Sequence, residues 1–243
     1  MRIVCLNAWV GRHPGFWDYI RTESDRADVF CFQEVTAGES GMLLERLTEE
    51  LQEFGHIYAG CQHGLAREYP TTVDYGLATF VRKNHPVEFT KEMFVHGERD
   101  GFTGFMATIP RNVLSVRAGG IDFVNFHGLV DGDKRGTTIV RQQLERLVGF
   151  VSGLPGPVVL VGDFNVRPDT TTMDIVRTTG LRDLITEFGI ELTRSGLYHG
   201  LALYDDTISD YVFVSQGLDV ASFEVPRVEV SDHLPLVLEI RNG

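Results

Sequence analysis

The stretch Val158–Asn165 reads VVLVGDFN and decides the fold. Its apolar residues run without interruption into an acid, an aromatic ring and an amide. Apolar runs rich in β-branched residues are typical of strands, so we predict a strand over this whole stretch. Successive side chains of a strand point to opposite faces, which would place Asp163 and Asn165 on one face and Phe164 on the other.

A carboxylate and an amide offered side by side suit a phosphate ester and the water that attacks it. The carboxylate of Asp163 can orient and deprotonate the water, and the amide of Asn165 can hold that water or stabilise a phosphoryl oxygen. The alternative is an Asp-Phe-Asn turn after a strand, which is a common structure with no catalytic role.

Similar apolar runs recur along the whole chain, with turn residues between them. They predict strands over Ile3–Asn7, Val29–Glu34, Leu77–Arg82, Val113–Val116, Ile121–His127, Asp210–Val214 and Leu234–Ile240. Apolar residues three or four positions apart predict helices over Phe16–Arg26, Gly41–Phe54, Thr138–Val151 and Met173–Thr178. From about residue 75 to residue 127, strands follow one another without a helix, whereas a doubly wound parallel sheet needs a helix after each strand. We therefore expect an α/β fold of mixed sheets with helices on their outer faces.

The length and composition indicate one domain with a sizeable core. The chain has 243 residues, of which 43% are hydrophobic, and a chain of this length can bury roughly 70–75% of the surface that its unfolded form exposes. It contains no internal repeat and no long linker, so we expect residues 1–243 to form a single domain. No apolar run approaches the roughly 20 residues of a membrane span, which argues against a transmembrane protein and a membrane partner.

The chain is acidic, with 22 basic and 34 acidic residues and a formal net charge of −12. Proteins that bind nucleic acid through bulk electrostatics use Lys and Arg to neutralise phosphates, and this composition argues against such binding. It does not exclude a nuclease, because a bound metal ion can supply the positive charge at the site.

The three cysteines, Cys5, Cys31 and Cys61, are odd in number and have no CxxC spacing. Cys5 and Cys31 lie in apolar segments, where a free thiol behaves as a small hydrophobic group. The amino terminus begins with the apolar stretch Arg2–Trp9 and lacks the pattern of a secretory leader. These features predict a reduced, cytoplasmic protein without disulfides.

Polar residues end several of the predicted strands, and active-site groups tend to lie at such ends. Asn7 closes the first predicted strand, where an Asn is also a common turn or cap residue. Gln33 and Glu34 close the second predicted strand. A carboxylate at the end of a buried strand needs a partner, which could be a metal ion, a helix N-terminus or an Arg.

The second half of the chain repeats this pattern. Asp232 and His233 precede the last predicted strand, where the carboxylate could bind a metal and the imidazole a phosphate, or the two could form an exposed pair. Asp210 begins another predicted strand and could hydrogen-bond one nitrogen of an imidazole. His127 ends a predicted strand, where it could also be a satisfied residue at the sheet edge.

These motifs occur in the order Asn7, Gln33-Glu34, His127, Gly162-Asp163-Phe164-Asn165, Asp210 and Ser231-Asp232-His233. The ordered set resembles the endonuclease/exonuclease/phosphatase superfamily, which includes pancreatic-type deoxyribonucleases, exonuclease III-like apurinic endonucleases, neutral sphingomyelinases, inositol polyphosphate 5-phosphatases and poly(A) deadenylases. The resemblance covers the whole chain and implies a DNase I-like four-layer α/β sandwich, with two mixed β-sheets face to face and helices outside. The site would lie at one edge, where both sheets end. Such a fold does not by itself name the substrate.

The resemblance implies a Mg²⁺ or Mn²⁺ site. Glu34 would be the principal ligand, with Asn7 beside it and Asp232 supplying a further oxygen, and Asn7 would also contact the substrate. Hard oxygen donors suit Mg²⁺, which keeps several waters and takes a phosphate oxygen as a ligand. Independently of the resemblance, the four carboxylates of the motifs would repel one another without a cation.

The resemblance also implies catalytic roles for the other motif residues. Asp163 would activate or position the attacking water, and Asn165 would bind that water or a phosphoryl oxygen. His233 would contact the scissile phosphate, with Asp210 as its orienting carboxylate. Whether Asp163 or His233 takes the proton from water stays open.

His127 follows the pattern of deoxyribonucleases and sphingomyelinases. In those enzymes a His at this strand end can protonate the leaving oxygen, and a carboxylate that opens an earlier strand supports it. Asp74 is the candidate for that supporting carboxylate in this chain.

Basic residues near the motifs are candidates for substrate contact: Arg12, Lys134, Arg135, Arg141, Arg167 and Arg194. Arg167, two residues after Asn165, is the first choice, and Arg194 could also meet a phosphate. Each could instead be a solvated surface residue. Trp9 and Tyr198 could stack a base or a sugar, or pack the wall of the site.

Three functions follow from these observations. The first is a metal-dependent nuclease that hydrolyses a phosphodiester of DNA or RNA by in-line attack of water. The alternative is a phosphodiesterase or phosphatase that acts on a small molecule, a lipid head group or an inositol phosphate. A non-catalytic binding protein is the third, and the presence of every candidate catalytic residue argues against it. The sequence does not distinguish internal from terminal attack, and it leaves the oligomeric state unknown.

Overall fold

Two six-stranded sheets and five α-helices form the described part of the chain. The computed structural model describes residues 1–38, 42–63, 73–101, 103, 108–130, 132, 134–198 and 207–241. The strands are β1 (Arg2–Asn7), β2 (Val29–Ala37), β3 (Phe54–His63), β4 (Asp74–Arg82), β5 (Val87–His96), β6 (Arg111–Ala118), β7 (Ile121–His127), β8 (Val158–Asp163), β9 (Arg182–Asp183), β10 (Asp210–Val214), β11 (Val220–Glu224) and β12 (Leu236–Ile240). The helices are α1 (Gly15–Ser24), α2 (Leu43–Glu50), α3 (Thr138–Ser152), α4 (Met173–Arg177) and α5 (Leu184–Glu187). Of the helices within these ranges, none is long and apolar enough to cross a membrane.

The sheets are mixed. The strand order of the first is β11-β12-β1-β2-β4-β3, and that of the second is β5-β6-β7-β8-β10-β9. The pairs β1–β2 and β7–β8 are parallel. The helices α1 and α2 pack on the first sheet, and α3 packs on the second. The predicted four-layer sandwich of two mixed sheets with helices outside is therefore confirmed.

Strands covered on both faces explain why the apolar runs do not alternate with polar residues. In β1, Ile3 and Cys5 belong to the core between the sheets, whereas Val4 and Leu6 pack with residues of the outer helices. Every residue of this strand is buried. A strand buried on both faces needs an apolar side chain at every position, and it reads as a continuous apolar run.

The strands that the sequence did not predict are those with exposed side chains. β5 lies at the edge of its sheet and is mostly exposed, so it lacks an apolar run. The helix predicted over Gly41–Phe54 ends at Glu50 within the described residues, and Phe54 instead begins β3. The last strand begins at Leu236 rather than Leu234, because Pro235 cannot donate a backbone hydrogen bond to a neighbouring strand.

Gly162 allows β8 to approach β7 closely, immediately before the candidate acid Asp163. Its φ is 143°, and a Cβ atom at this position would lie 1.9 Å from the carbonyl oxygen of Phe126. An L side chain fits neither that dihedral nor that space. The glycine of the GDFN motif is thus explained by the backbone path that brings Asp163 beside His127.

A buried hydrogen-bond network joins the two sheets below their common edge. The Nε2 of Gln33 on β2 donates to the Oδ1 of Asn125 on β7 at 2.6 Å. Asn125 Nδ2 in turn donates to the carbonyl oxygens of Phe32 (3.0 Å) and Ala78 (3.1 Å). These two carbonyls flank the point where the pairing of β2 with β4 shifts register, between Phe32 and Val35. Asn125 therefore satisfies polar groups of the opposite sheet at the position where its ladder is interrupted.

Replacing Asn125 with Ala should lower the free energy of unfolding by about 2–4 kcal/mol. The substitution leaves the Gln33 donor and the carbonyls of Phe32 and Ala78 without this partner in a dry interior, and it adds a small cavity. Urea unfolding at pH 7 measures the change. Asn84→Ala, at an exposed turn position, is the matched control and should stay within about 0.5 kcal/mol of the wild type. Equal stability of the two variants would contradict a stabilising role for this network.

Candidate active site

The predicted site residues meet at one edge of the sandwich, where strands of both sheets end. Asn7 ends β1 and Glu34 lies in β2 of the first sheet. His127 ends β7, Asp163 ends β8, and Asp210 begins β10 of the second sheet. The strand register places His127 beside Asp163 and Asp163 opposite Asp210. The two sheets thus contribute complementary parts of a single cluster.

One oxygen of Asp163 lies at the centre of this cluster. Its Oδ2 accepts a hydrogen bond from the Nδ2 of Asn7 at 3.2 Å. The same oxygen is 3.5 Å from the Nε2 of His233 and 3.8 Å from the Nε2 of His127. Asp163 is buried, as are these three neighbours. A carboxylate with an amide and two imidazoles around one oxygen is well placed to hold a water and exchange a proton with it.

The strand predicted through Asn165 is wrong, because β8 ends at Asp163. The Oδ1 of Asp163 accepts the backbone N–H of Asn165 at 2.9 Å, which closes an Asx turn. Asn165 adopts a left-handed backbone with φ of 53°. Its side chain still reaches the cluster, since its Oδ1 accepts from the Nη2 of Arg194 at 3.3 Å. The turn therefore brings Asp163 and Asn165 into the same site, and the alternation of side chains along a strand does not.

Glu34 sits at the β2 irregularity and points into the cluster. Its φ is 56°, a left-handed conformation that interrupts the pairing with β4. Its Oε1 accepts a hydrogen bond from Asn7 Nδ2 at 3.3 Å and lies 4.0 Å from the Nε2 of His127. Burial, followed by the negative charges of Asp232 and Asp163, raises the pKa of Glu34 to about 7. Its side chain remains 24% exposed, so an ion could reach it from solvent.

His233 and Asp210 form a buried hydrogen-bonded pair. The Nδ1 of His233 is 2.8 and 2.9 Å from the two carboxylate oxygens of Asp210. Asp210 also accepts hydrogen bonds from the hydroxyls of Thr193 (2.8 Å) and Ser209 (3.0 Å). Burial raises the pKa of Asp210 to about 6, although Arg194 opposes that shift. Burial and Arg194 lower the pKa of His233 to about 4, so its imidazole is neutral in the resting protein.

The neutral state of His233 matches its contacts. A neutral imidazole that donates from Nδ1 to Asp210 leaves a lone pair on Nε2. The Nη1 of Arg194 contacts that Nε2 and can donate to it. Arg194 is itself buried and joined to His233 by an isolated backbone bridge. The predicted pairing of Asp210 with His233 is present, and Arg194 lies beside it.

The expected support of His127 by Asp74 is wrong. The oxygens of Asp74 accept from His63 Nδ1 at 2.7 Å and from Arg99 Nη2 at 3.0 Å. Within the described residues, no hydrogen bond or ion pair joins Asp74 to His127. Neighbouring side chains of a strand point to opposite faces, and it is the ring of Tyr75 that faces His127, at 6.4 Å between centroids. Burial and then the positive charge of nearby cations, Arg111 first, lower the pKa of His127 well below its usual value.

The oxygen donors expected to hold a metal are near one another. Asn7 bonds to Glu34, and Asp232 raises the pKa of Glu34 through its charge. The Oδ1 of Asp232 accepts from the hydroxyl of Ser231 at 3.2 Å and lies 4.0 Å from His233 Nε2. The carboxylates of Glu34 and Asp232 repel one another when ionised, and a hard divalent cation would stabilise them. Asn7 presents its Nδ2 to Glu34, whereas its Oδ1 accepts the backbone N–H of Trp9 at 3.1 Å. The two carboxylates therefore fit such an ion, with Asn7 beside them as a hydrogen-bond donor.

A second group of possible ligands lies within the described residues. One ligand atom from each of Asp163, Asp210 and His233 falls within 4.8 Å of the others, so this cluster could also hold a metal ion. Both oxygens of Asp210, however, already face the Nδ1 of His233, and one of them also accepts two hydroxyl hydrogen bonds. The Asp210–His233 pair is thus held as an orienting pair, and Glu34 is the more open carboxylate.

Two basic residues of the site lie against Tyr198. The guanidinium carbon of Arg194 lies 4.1 Å from the ring centroid of Tyr198, and the Nζ of Lys134 lies 3.1 Å from the hydroxyl of Tyr198. Arg167, the first choice for a substrate contact, is farther out and pairs with the exposed Asp169 at 3.3 Å. Its backbone N–H donates to the carbonyl oxygen of Lys134 at 2.9 Å.

The sequence analysis missed several residues that complete the site. Thr193 and Ser209 hold Asp210, and Arg111 begins β6 beside His127 and donates to the carbonyl oxygen of Gly128 at 3.1 Å. Ser209 could have been found, because it directly precedes Asp210 at the start of a predicted strand. Arg111 and Thr193 carry no sequence signal, since each is brought to the site by strand or loop packing over long separations.

Replacing Glu34 with Gln should stabilise the metal-free protein at pH 8 relative to the wild type. The folded pKa of Glu34 lies above its unfolded value, so its contribution to stability is present at low pH and is lost as the pH rises through about 7. The difference in the free energy of unfolding between E34Q and the wild type should grow by on the order of 2–3 kcal/mol from pH 5 to pH 8. Urea unfolding with a chelator present measures it.

The control for this experiment is Glu53→Gln, at an exposed turn before β3. Its difference from the wild type should stay constant over the same pH range. A constant difference for E34Q as well would mean that the Glu34 carboxylate is not held in an unfavourable charged environment.

The chain is similar in sequence to a curated bacterial protein. A UPF0294 protein from Vibrio vulnificus strain YJ016 is 30% identical over 98 residues, which is 40% of this chain. That match spans 32% of the length of the Vibrio protein, or about a third of it.

Solved structures with the same fold cover the whole chain. An endonuclease/exonuclease/phosphatase family protein from Leptotrichia buccalis has a TM-score of 0.74 at 18% identity, with 100% of each chain covered. The mannosyl-6-phosphatase Bt3783 from Bacteroides thetaiotaomicron has a TM-score of 0.72 at 18% identity, again with 100% of each chain covered. The 3′ phosphatase NExo from Neisseria, bound to a product DNA hairpin, has a TM-score of 0.70 at 16% identity, with 99% of each chain covered. The family model described as Endonuclease/Exonuclease/phosphatase family matches residues 4–233. Since that match covers nearly all of the chain, the protein belongs to the endonuclease/exonuclease/phosphatase family.

Proposed function

We propose that this protein is a divalent-metal-dependent hydrolase of phosphodiesters, with a nucleic acid strand as its substrate. The observation that carries the proposal is the surroundings of Asp163 Oδ2, which lies within 3.8 Å of Asn7 Nδ2, His233 Nε2 and His127 Nε2. Hydrolysis of a phosphate ester needs an in-line water, neutralisation of the phosphoryl oxygens and a proton for the leaving oxygen. The residues around this oxygen can meet all three requirements.

The charges of the described site residues suit an anionic phosphate ester. The carboxylates of Glu34, Asp163, Asp210 and Asp232 share the site with the cations of Arg111, Lys134 and Arg194. A divalent cation would offset part of the carboxylate charge, and a phosphate anion would meet the cations. Buried charges are stable only when they are balanced.

Asp163 is the residue proposed to position and deprotonate the attacking water. Its Oδ2 faces Asn7, His233 and His127, while its Oδ1 is held by the backbone N–H of Asn165. The Nδ2 of Asn165 donates one hydrogen to the carbonyl oxygen of Gly128 at 3.3 Å, so its second hydrogen can go to a phosphoryl oxygen or to that water. Fixed donors of this kind stabilise charge that develops in the transition state.

A Mg²⁺ or Mn²⁺ ion would be held by Glu34 and Asp232, with Asn7 beside them. When bound, it would polarise a phosphoryl oxygen and stabilise the charge on it. Asn7 can orient Glu34 for this role because its Nδ2 contacts both Glu34 and Asp163. Asn7 could donate to a phosphate oxygen only by giving up one of these two hydrogen bonds.

The two imidazoles have separate proposed roles. His233, fixed by Asp210, would contact the scissile phosphate through Nε2 in its protonated form, with a hydrogen on both ring nitrogens, once Arg194 turns its guanidinium towards that phosphate. His127 donates a proton to the leaving oxygen. It is neutral in the resting protein because of burial and nearby cations. A phosphate anion beside it opposes those cations and raises its pKa, so the acid forms only with substrate in place.

Aromatic and cationic side chains near the cluster support a nucleic acid strand. The backbone N–H of Trp9 donates to Asn7 Oδ1 at 3.1 Å, and the guanidinium carbon of Arg12 lies 5.7 Å from the centroid of the Trp9 ring. The guanidinium carbon of Arg194 lies 4.1 Å from the centroid of the Tyr198 ring. Trp9 and Tyr198 are partly exposed, so a base could reach their rings. Proteins that bind single strands combine base stacking on aromatic rings with positive charge for the backbone.

A small-molecule phosphate ester is the second candidate. The net charge of −12 favours it, because a long polyanion would be repelled by the surface outside the site. The similar Bacteroides protein is a mannosyl-6-phosphatase.

Asp163→Asn should lower kcat for a single-stranded oligonucleotide by about 10³-fold or more, since the amide cannot accept the proton of the water. Wild-type activity should require Mg²⁺ or Mn²⁺ and disappear with a chelator. A panel of single-stranded DNA, RNA, bis-p-nitrophenyl phosphate, mannose 6-phosphate and inositol phosphates tests the substrate class in the same assay.

Circular dichroism and thermal unfolding establish that the Asp163→Asn variant is folded. Asp219→Asn, at an exposed ion pair with Arg241, is the control and should retain wild-type turnover. Retained turnover in the Asp163 variant would refute its role with water. If the wild type hydrolysed mannose 6-phosphate or inositol phosphates but none of the diesters, the result would refute the nucleic acid substrate and support the small-molecule phosphate ester.

His127→Gln should affect substrates according to their leaving groups. Nitrophenolate leaves without a proton, whereas the alkoxide of a nucleotide needs one, so general-acid catalysis matters only for the latter. The loss in kcat should be at least tenfold larger for an oligonucleotide than for bis-p-nitrophenyl phosphate. Steady-state kinetics with both substrates measures it. Equal losses would indicate that His127 binds the phosphate and does not protonate the leaving oxygen.

A further inference from the structure

The cations around Tyr198 extend the site beyond the scissile phosphate. Lys134 is only 5% exposed, and its Nζ lies 3.1 Å from the hydroxyl of Tyr198 and 4.9 Å from the centroid of its ring. The guanidinium of Arg194 lies 4.1 Å from the same centroid. Two positive side chains are thus gathered on one partly exposed ring.

The backbone holds Lys134 in this position. Its φ of 54° is left-handed, an uncommon conformation for a residue with a side chain. Its carbonyl oxygen accepts the N–H of Arg167, just after the turn that carries Asn165. The loop that contains Lys134 is therefore tied to the segment that provides the candidate catalytic amide.

Arg194 and Lys134 reach the cluster in different ways. Arg194 donates to Asn165 Oδ1 and contacts His233 Nε2, which places it next to the scissile phosphate. Lys134 reaches the site through Tyr198, one side chain farther out. A lysine at that distance is placed for the group adjoining the scissile phosphate and not for the scissile phosphate itself.

We propose that Lys134, Tyr198 and Arg194 form a subsite for a second phosphate of the substrate, next to the phosphodiester that is cleaved. The proposal rests on the proposed function and narrows its substrate to a strand whose adjacent phosphate, internal or terminal, occupies this subsite. The ammonium of Lys134 supplies a point charge, and the planar guanidinium of Arg194 can bridge both phosphates. Tyr198 supplies a hydroxyl donor and a ring that holds the two cations together.

The test compares three dinucleotides that share one phosphodiester: one without a terminal phosphate, one with a 5′-phosphate and one with a 3′-phosphate. The wild type should cleave one of the two phosphorylated forms with a kcat/KM at least tenfold above that of the unphosphorylated form. Lys134→Met should reduce this preference by about tenfold, mainly through KM, since a charged hydrogen bond to phosphate is lost.

Lys91→Met is the matched control. Lys91 also lies over an aromatic ring, with its Nζ 4.8 Å from the centroid of Phe150, but it belongs to the edge strand β5. Its loss should leave the preference for the phosphorylated dinucleotide at the wild-type value. If the Lys134→Met variant does not fold, Tyr198→Phe and Lys134→Arg replace it: the first should reduce the preference and the second should largely keep it.

The outcomes separate the subsite from the proposed function. Cleavage of all three dinucleotides with equal kcat/KM by the wild type would overturn the subsite and leave the phosphodiesterase activity standing. An equal preference in the Lys134→Met and wild-type proteins would also overturn it. A wild type that cleaves none of the dinucleotides, with Mg²⁺ or Mn²⁺ present, would contradict the nucleic acid substrate on which the subsite depends.

Discussion

The hydrogen bond between Gln33 and Asn125 is the constraint on which the site depends. It crosses from the first sheet to the second at 2.6 Å, in a layer rich in apolar side chains. Apolar contacts hold the sheets together but tolerate small sliding movements, since they have little directional preference. A buried hydrogen bond has a fixed length and direction, and breaking it is costly. The relative position of the two sheets is thereby fixed.

This fixed position matters because neither sheet carries a complete site. Asn7 and Glu34 come from the first sheet, and His127, Asp163 and Asp210 come from the second. The distance from Asp163 Oδ2 to Asn7 Nδ2 therefore depends on how the two sheets are positioned relative to each other. Gln33, which bonds to Asn125, directly precedes Glu34. The same hydrogen bond therefore also holds the irregular part of β2, where the positive φ of Glu34 directs its side chain into the cluster.

The sequence predicted the fold and the site to different depths. Strands such as β1 and β8 were found because burial on both faces demands apolar residues throughout, and such runs are visible without a structure. The edge strand β5 was not found, since its exposed side chains need not be apolar. Residues at strand ends, such as Asp163 and Asp210, were identified because a polar group there interrupts an apolar pattern.

The sequence did not show which side chains contact each candidate residue. Lys134 was only one of several basic residues near the motifs, and nothing local distinguished it from Arg167. The structure separates them, because Lys134 is buried on Tyr198 whereas Arg167 pairs with Asp169. The predicted support of His127 by Asp74 was wrong for a similar reason. The alternation of side chains along β4 directs Tyr75, and not Asp74, towards His127, and the family resemblance did not show which of these neighbouring residues faces the histidine.

The first and last strands lie side by side, with β1 paired to β12, and this has a consequence for the timing of synthesis. The hydroxyl of Ser231 donates to the carbonyl oxygen of Asn7 across 224 residues of chain. At roughly 5–20 residues per second, a ribosome needs on the order of 10–45 seconds to make that intervening length. Until then Asn7 and Glu34 have neither Asp232 nor His233 beside them, so the cluster is assembled only after nearly the whole chain has been made.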